Sequence, residues 1–339
     1  MSRLKVVIVT PALADANNGN WRTARRWASM LRDRFDVRLT AAWNGGDESM
    51  MIALHARRSA ASASAWRARH PERPLIVVLT GTDLYRDIAT DASARHALDI
   101  ADRLVVLNAL GPRSLPVALQ PRCRVVLQSC PSRVRQAPPA RYLRALMIGH
   151  LRAEKAPDVL FDAVRELAAR RDIRIDHIGS ALDPALGEAA RSLMTQYPDY
   201  RWLGGLLHDD TRRRLQRASV LVHPSRMEGG AHTVIEAIRS GVPVLASRID
   251  GNVGLLGADY DGYCAPGDAH ALAVLMARAR DDPDWLAHLA RQCEAKSSLF
   301  SGEHERSALH ALIDECLASF DAPRRQHRPD EPRDPGIPS

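Results

Sequence analysis

Lysine is scarce in this chain, although the chain is basic overall. The sequence has 339 residues, 47 of them lysine or arginine, and a formal net charge of +7. The lysines are Lys5, Lys155 and Lys296, and the arginines are spread along the chain rather than gathered in one block. Nucleic-acid-binding proteins usually concentrate basic charge on one face. We therefore expect no nucleic-acid partner, and we treat a lysine inside a motif as a candidate for chemistry.

Long apolar runs and cysteine pairs are also missing. No apolar run approaches the roughly 20 residues that a membrane-spanning helix needs, and Val6–Val9 is too short for a signal-peptide core. The five cysteines contain no Cys-x-x-Cys pair, which argues against a zinc or redox centre. These absences predict a cytoplasmic protein that does not bind membranes.

Familiar phosphate-loop and metal motifs are absent as well. The sequence contains no Gly-x-Gly-x-x-Gly after a strand, no Walker loop and no His-Glu-x-x-His. The acidic pairs Asp209–Asp210 and Asp281–Asp282 are more typical of turns that start helices than of metal ligands. We expect neither a metal ion nor a bound cofactor.

Short apolar segments alternate with longer helical patterns over residues 6–127 and again over residues 143–280. This alternation is typical of α/β domains in which helices cover a parallel sheet. One stretch near Glu48–Ala68 is predicted to be helical. Cys130–Pro139 contains three prolines and has the character of a linker.

The pattern predicts two Rossmann-like, doubly wound domains that face each other across a cleft. The expected divisions are an acceptor-side domain over 1–137, a nucleotide-sugar-binding domain over 138–300, a helix over 301–320 and a disordered tail over 321–339. Ligands of such domains bind at the carboxyl ends of the strands. Two substrates could therefore meet in the cleft.

The segment Val220–Glu236 gives the strongest local signal. A buried strand precedes Glu228-Gly229-Gly230, and an amphipathic helix follows. The free N–H groups of a helix start and its dipole favour an anion, and glycines allow a ligand to approach the backbone. Glu236 lies on the polar face of this helix, where its carboxylate could accept hydrogen bonds from both ribose hydroxyls. A solvated surface glutamate is the alternative interpretation.

The segment Gly149–Lys155 gives a second signal, because a strand ends at Gly149 and a turn brings three cationic or titratable side chains into a helix. Cations at this position would neutralise a departing diphosphate. An ordinary loop with surface charges is the alternative interpretation.

Together these segments resemble the GT-B glycosyltransferases of sequence-based family 4. In that family a Glu-x7-Glu motif lines the donor site, and Glu228 and Glu236 match it. The resemblance implies that Glu228 contacts donor-sugar hydroxyls and Glu236 the ribose. Of the family's Gly-Arg-Leu-x-x-x-Lys-Gly motif, Lys155 is retained, whereas His150 replaces the arginine. The donor-binding residues implied in this way are Gly149, His150, Arg152, Lys155, Glu228, Gly229, Gly230, Ala231, His232, Thr233 and Glu236.

The first half of the chain departs from the family at Thr80. Many members place a histidine of a His-Gly-x-Asp motif near the acceptor, but this sequence reads Thr80-Gly-Thr-Asp83. Threonine cannot act as a general base near neutral pH. Either the base lies elsewhere, or the acceptor is an anion that already carries a nucleophilic atom.

Four segments together resemble the selenosugar synthase branch of the family: 17–24, 80–86, 149–155 and 225–232. The resemblance implies transfer of a sugar, expected to be N-acetylglucosamine, from a UDP-sugar to selenophosphate, which would form a 1-selenosugar in selenoneine biosynthesis. The implied catalytic residues are Lys155, Glu228, Thr80 and Asp83. The implied acceptor-binding residues are Asn18, Gly19, Asn20, Arg22, Gly81, Thr82 and Arg86.

Two other functions stay open at this point. One is a family 4 enzyme that glycosylates a hydroxyl of a carbohydrate or lipid. The other is a non-catalytic protein that binds a nucleotide-sugar or RNA.

Overall fold

The computed structural model describes residues 3–11 and 19–326. In this part of the chain two separate six-stranded sheets form, and every strand pair is parallel. The predicted α/β class is confirmed. The first sheet has the order β2-β1-β3-β4-β5-β6. Its strands are β1 (Lys5–Val9), β2 (Asp36–Thr40), β3 (Met50–Leu54), β4 (Leu75–Leu79), β5 (Arg103–Val106) and β6 (Cys123–Val125).

The second sheet has the order β12-β11-β10-β7-β8-β9. Its strands are β7 (Leu143–Ile148), β8 (Ile173–Ile178), β9 (Tyr200–Trp202), β10 (Val220–His223), β11 (Val244–Ser247) and β12 (Tyr263–Cys264). The strand order of this sheet is that of a dinucleotide-binding Rossmann domain.

Helices cover both sheets, and within the described residues none is long and apolar enough to cross a membrane. Those of the first half are α1 (Gly19–Leu31), α2 (Ala60–Arg69), α3 (Ile88–Thr90) and α4 (Ala92–Ile100). Those of the second half are α5 (Pro157–Glu166), α6 (Pro184–Gln196), α7 (His208–Gln216), α8 (His232–Arg239), α9 (Asp250–Leu256), α10 (Ala269–Asp281) and α11 (Pro283–Glu294).

Each sheet has one point at which the strand order reverses, between β1 and β3 in the first and between β7 and β10 in the second. A crevice opens at the carboxyl ends of the strands at such a point. The loop after β7 carries Gly149–Lys155, and the loop after β10 carries Glu228–Ala231. The topology therefore brings the two sequence motifs side by side.

The helical prediction for Glu48–Ala68 is wrong in its first part. Met50–Leu54 forms β3, which lies between β1 and β4, and all five residues are buried. Methionine, alanine and leucine favour helices locally. A short apolar run buried on both faces is nevertheless stable as a central strand, because its neighbours supply the hydrogen bonds.

A last helix, α12 (Gly302–Gln326), returns from the second domain to the first. Leu309, Leu312, Ile313 and Cys316 are buried in the same apolar cluster as Trp27. The helix continues six residues beyond its expected end at Phe320. Residues 327–339 of the predicted tail lie outside the described residues.

Candidate active site

Glu228 lies at the centre of the site, in the loop between β10 and α8. Lys155 Nζ donates a hydrogen bond to its Oε1 over 2.5 Å, and His223 Nε2 lies 3.1 Å from the same oxygen. Both contacts use Oε1, so within the described chain Oε2 has no hydrogen-bond partner. The carboxylate is thus held through one oxygen and can present the other to a ligand.

The ionisation of Glu228 follows from these partners. Burial opposes the charged form, but the charges and hydrogen bonds of Lys155 and His223 outweigh it and hold the pKa of Glu228 well below its usual range. Glu228 is therefore a carboxylate at every physiological pH. It acts as a hydrogen-bond acceptor and not as an acid.

The Gly229–Gly230 pair lies where the two domains touch. A Cβ on Gly229 would collide with the carbonyl oxygen of Thr80, and a Cβ on Gly230 would lie 2.8 Å from Leu107 Cβ. The Gly229 carbonyl also accepts a hydrogen bond from Asn108 Nδ2 over 2.7 Å. Only glycine allows the loop after β10 to lie this close to the first domain.

Glu236 follows on α8 and is 4% exposed. This burial makes the interpretation of a solvated surface glutamate wrong. His208 Nε2 and His232 Nδ1 each lie 3.5 Å from Glu236 Oε1, but the oxygen has no hydrogen-bond partner among the described residues. Burial raises the pKa of Glu236, while His232 and His208 lower it by more, so the net shift is downward. A buried carboxylate oxygen without a partner costs about 1–3 kcal/mol, and a ligand hydroxyl would relieve that cost.

The other donor-side residues lie around these carboxylates. Ala231 is buried and precedes α8, whereas His232 and Thr233 form its first turn and are half-buried. Thr233 Oγ1 lies 3.4 Å from His223 Nδ1. A hydroxyl can donate to that nitrogen or accept from it, so the contact orients the His223 ring, whose Nε2 faces Glu228.

The Gly149–Lys155 loop contributes one side chain to the contacts of Glu228, namely Lys155. His150, in the place of the family's arginine, is exposed and accepts a hydrogen bond from Ser180 N through Nδ1 over 3.1 Å. Arg152 Nε lies 3.9 Å from Glu154. Ala156, which replaces the family's glycine, adopts the left-handed conformation with φ of 51°. A glycine would adopt this conformation without strain.

On the opposite wall, the loop after β4 is organised by Asp83. This side chain is fully buried and accepts backbone hydrogen bonds from Thr80, Gly81 and Ala56 over 2.8–2.9 Å. Asp83 therefore fixes the conformation of the loop rather than offering a carboxylate to a substrate. Its expected place among the catalytic residues stays a prediction.

A histidine that the sequence did not single out lies beside this loop. His55 follows β3 with φ of 71° and is 2% exposed. Its Nδ1 accepts from Arg58 N, and its Nε2 lies 3.2 Å from Thr82 Oγ1. Burial lowers the pKa of His55 more strongly than Asp83 raises it. The side chain is therefore neutral at neutral pH, with its proton on the nitrogen that faces Thr82.

The remaining acceptor-side residues fall into three groups. Gly19 and Asn20 begin α1, and Asn18 lies outside the described residues. Arg22 reaches across the cleft, and its Nη1 lies 3.1 Å from His208 Nδ1. Arg86 also crosses the cleft, because its Nη1 donates to Glu154 over 3.0 Å. In this closed arrangement both arginines contact the second domain.

Sequence reasoning missed three histidines of the site: His55, His208 and His223. His55 and His208 each lie far in sequence from their partners, so no local motif marks them. His223 alone gave a signal, since it is the last residue of a strand that leads into the motif. Within the described residues no cluster of side chains could hold a metal ion.

The chain is similar to several known proteins. Residues 132–300 match the family described as glycosyl transferases group 1. D-inositol 3-phosphate glycosyltransferase of Streptomyces avermitilis is 29% identical over 211 residues, which are 58% of this chain and 44% of that protein. Glycogen synthase of Mycobacterium tuberculosis is 29% identical over 199 residues, 56% of this chain and 45% of that protein. The chain thus spans less than half the length of these curated relatives.

Among solved structures, sucrose-phosphate synthase from Thermosynechococcus elongatus has a TM-score of 0.74 at 16% identity, over 94% of this chain and 100% of that chain. Anabaena HepE in complex with UDP-glucose has a TM-score of 0.74 at 14% identity, over 92% of this chain and 100% of that chain. The chain therefore has the GT-B fold.

Proposed function

We propose that this protein is a glycosyltransferase that takes a sugar from a UDP-sugar bound on its second domain. The observation that carries the proposal is the pair of buried carboxylates at the second switch point. Glu228 keeps Oε2 unbonded, and Glu236 keeps Oε1 unbonded, within the described chain. Two carboxylates that each have one oxygen without a partner fit a ligand with two sets of hydroxyls, such as the sugar and the ribose of a nucleotide-sugar. The fold shared with HepE, solved with UDP-glucose, supports this donor.

Lys155 supports the chemistry of the leaving group. An ammonium group has three N–H donors, and Glu228 accepts one of them. The others remain for phosphate oxygens, beside the first turn of α8, whose free N–H groups also favour an anion. The departing UDP would therefore be stabilised by one side chain and by backbone.

We further propose selenophosphate as the acceptor and N-acetylglucosamine as the sugar. The selenium atom attacks C1, the C1–O bond to the β-phosphate breaks, and UDP leaves with the electron pair. Hydrolysis of the P–Se bond then releases phosphate and the 1-selenosugar. No proton has to be removed from such a nucleophile. This agrees with Thr80 at the family's histidine position and with a neutral His55 that directs its N–H at Thr82.

The experiment is incubation of the purified protein with UDP-N-acetylglucosamine and selenophosphate, followed by mass spectrometry of the products. We expect release of UDP and formation of a seleno-N-acetylglucosamine. Glu236→Gln, which keeps the size of the side chain but weakens its acceptance of ribose hydroxyls, should raise KM for the donor. Parallel incubations with inositol phosphate, simple sugars and glycerol supply hydroxyl acceptors.

The products separate the alternatives. Turnover with a hydroxyl acceptor and none with selenophosphate would make the protein an ordinary group 1 enzyme and overturn the selenium proposal. Calorimetry that detects no UDP binding would overturn the donor proposal itself. Salt-sensitive RNA binding in that case would favour the non-catalytic alternative.

A further inference from the structure

A chain of polar contacts crosses the cleft and ends on Glu236. It starts at Arg22 on α1 of the first domain, passes through His208 at the start of α7 and reaches Glu236 on α8. Arg22 Nη1 lies 3.1 Å from His208 Nδ1, and His208 Nε2 lies 3.5 Å from Glu236 Oε1. Glu236 is buried, while the His208 side chain is 37% exposed. The contacts therefore meet at the surface of the cleft.

The protonation pattern of this chain follows from its donors. A guanidinium group can only donate, so His208 Nδ1 must accept from Arg22. The proton of the neutral ring then lies on Nε2 and points at Glu236. His208 thus connects Arg22 on the first domain to Glu236 on the second.

We propose that His208 is a positioning residue that couples closure of the cleft to donor binding. With the cleft closed, Arg22 selects the tautomer and orientation in which His208 directs an N–H at Glu236. With the cleft open, His208 loses the partner that fixes its ring. The proposal rests on the proposed donor site, and it adds that a residue of the acceptor domain contributes to donor affinity without contacting the donor.

His232 supplies a matched comparison, because it lies at the same 3.5 Å distance from the same oxygen. Its Nε2 lies 3.3 Å from the Ser129 carbonyl oxygen, which can only accept. His232 Nε2 therefore donates to that oxygen, and Nδ1 faces Glu236. This histidine shares α8 with Glu236 and has no link to Arg22 among the described contacts.

Acidification should break the coupling. Burial lowers the pKa of His208; Glu236 raises it, and Arg22, Arg212 and His232 lower it. The pKa of His208 therefore lies below its usual 6.5, and the ring is neutral at neutral pH. As the pH falls through the lowered pKa of His208, Nδ1 gains a proton. That proton faces the Arg22 guanidinium, so the hydrogen bond to Arg22 is lost.

The test is a pair of double-mutant cycles in which the dissociation constant for UDP is measured by calorimetry at mildly alkaline pH. The first cycle combines Arg22→Ala with His208→Ala. We expect each single variant to raise the dissociation constant for UDP about fivefold or more. The dissociation constant of the double variant should be no higher than the higher of the two single-variant values. The second cycle combines Arg22→Ala with His232→Ala, and its effects should multiply.

Each outcome bears on one proposal. Multiplicative effects of Arg22→Ala and His208→Ala would overturn the coupling, as would an unchanged affinity in Arg22→Ala. Failure of the wild-type protein to bind UDP would instead overturn the donor proposal. His208→Gln, which keeps a polar side chain, should repeat the His208→Ala pattern if the ring nitrogens matter. Below the His208 pKa the effect of Arg22→Ala should shrink, which a merely structural role would not produce.

Discussion

At the scale of residues, Lys155 and Glu228 form a largely buried ion pair in the site. The side chains of Lys155 and Glu228 are 16% and 9% exposed. Burial raises the pKa of Glu228, and the charge of the Lys155 ammonium is the largest contribution that lowers it. Lys155 therefore has two tasks in the proposed reaction. It keeps Glu228 ionised so that the carboxylate can accept hydrogen bonds from the sugar, and it stabilises the negative charge of the departing UDP.

Lys155→Ala should lower kcat for donor turnover by about 100- to 1,000-fold, because the variant lacks a preorganised positive charge at the leaving group. Without the ammonium, burial of Glu228 is less compensated and its pKa rises. The acid limb of the pH–rate profile should move to higher pH. Steady-state kinetics across a pH series measures both effects.

Lys296→Ala is the control, since it removes the same side chain away from the site. It should keep the wild-type rate and profile. Unchanged donor turnover in Lys155→Ala would make the assignment of the leaving-group site wrong.

Motifs predicted Glu228, Glu236 and Lys155 because each lies in a short segment whose spacing carries information. His208 could not be predicted in this way, since its partners Arg22 and Glu236 are 186 and 28 positions away in sequence. Asp83 was found as a candidate, but its three backbone hydrogen bonds could not be predicted. A carboxylate that accepts three backbone hydrogen bonds looks identical, in sequence, to one that faces a substrate.

At the scale of elements, one buried carboxylate of α12 forms several hydrogen bonds to the first domain. Glu305 is fully buried and accepts from Arg26 Nε over 2.7 Å and from Trp27 Nε1 over 2.7 Å. It also accepts from Ser129 N over 2.8 Å, just before the predicted linker. One side chain thus joins α12, α1 and the crossing between the domains.

Glu305→Gln should destabilise the protein by roughly 3–5 kcal/mol, because it leaves Arg26 beside a neutral group in a buried network. Thermal and denaturant unfolding of the variant measure the change. Glu315→Gln on the same helix is the control. Its side chain is 33% exposed and pairs with Arg103 and Arg124, so we expect a loss of about 0–1 kcal/mol. Equal losses in the two variants would contradict this account.

The alternation of strands and helices was predictable at this scale, but β3 was not. Its residues prefer helices locally, and only their burial between β1 and β4 selects the strand. The packing of α12 against the first domain also could not be predicted from the sequence. An amphipathic helix shows that it has an apolar face, but not which domain that face covers.

At the scale of the whole molecule, the two domains are in direct backbone contact. Gly81 adopts φ of +145°, and a Cβ on it would lie 3.1 Å from Gly229 N. A Cβ on Gly229 would lie closer still to the carbonyl oxygen of Thr80. The closed cleft therefore depends on two facing glycines, one in each domain.

Gly229→Ala should hold the cleft open. The added methyl group collides with backbone of the other domain, and the domains can separate without unfolding. We expect a nearly unchanged melting temperature, a lower kcat and a larger radius of gyration by small-angle X-ray scattering. Gly302→Ala is the control, because a Cβ there meets no atom within 4 Å. An unchanged radius of gyration with a large fall in melting temperature would contradict the expectation.

The return of α12 also has a consequence for biosynthesis. The apolar cluster of the first sheet includes Leu309, Leu312 and Ile313, which the ribosome makes after every strand of the second sheet. The first domain therefore emerges from the ribosome with an uncovered apolar face and keeps it until α12 arrives. During translation this apolar face stays uncovered, whereas the second domain, whose apolar cluster ends at Phe300, can complete its own core first.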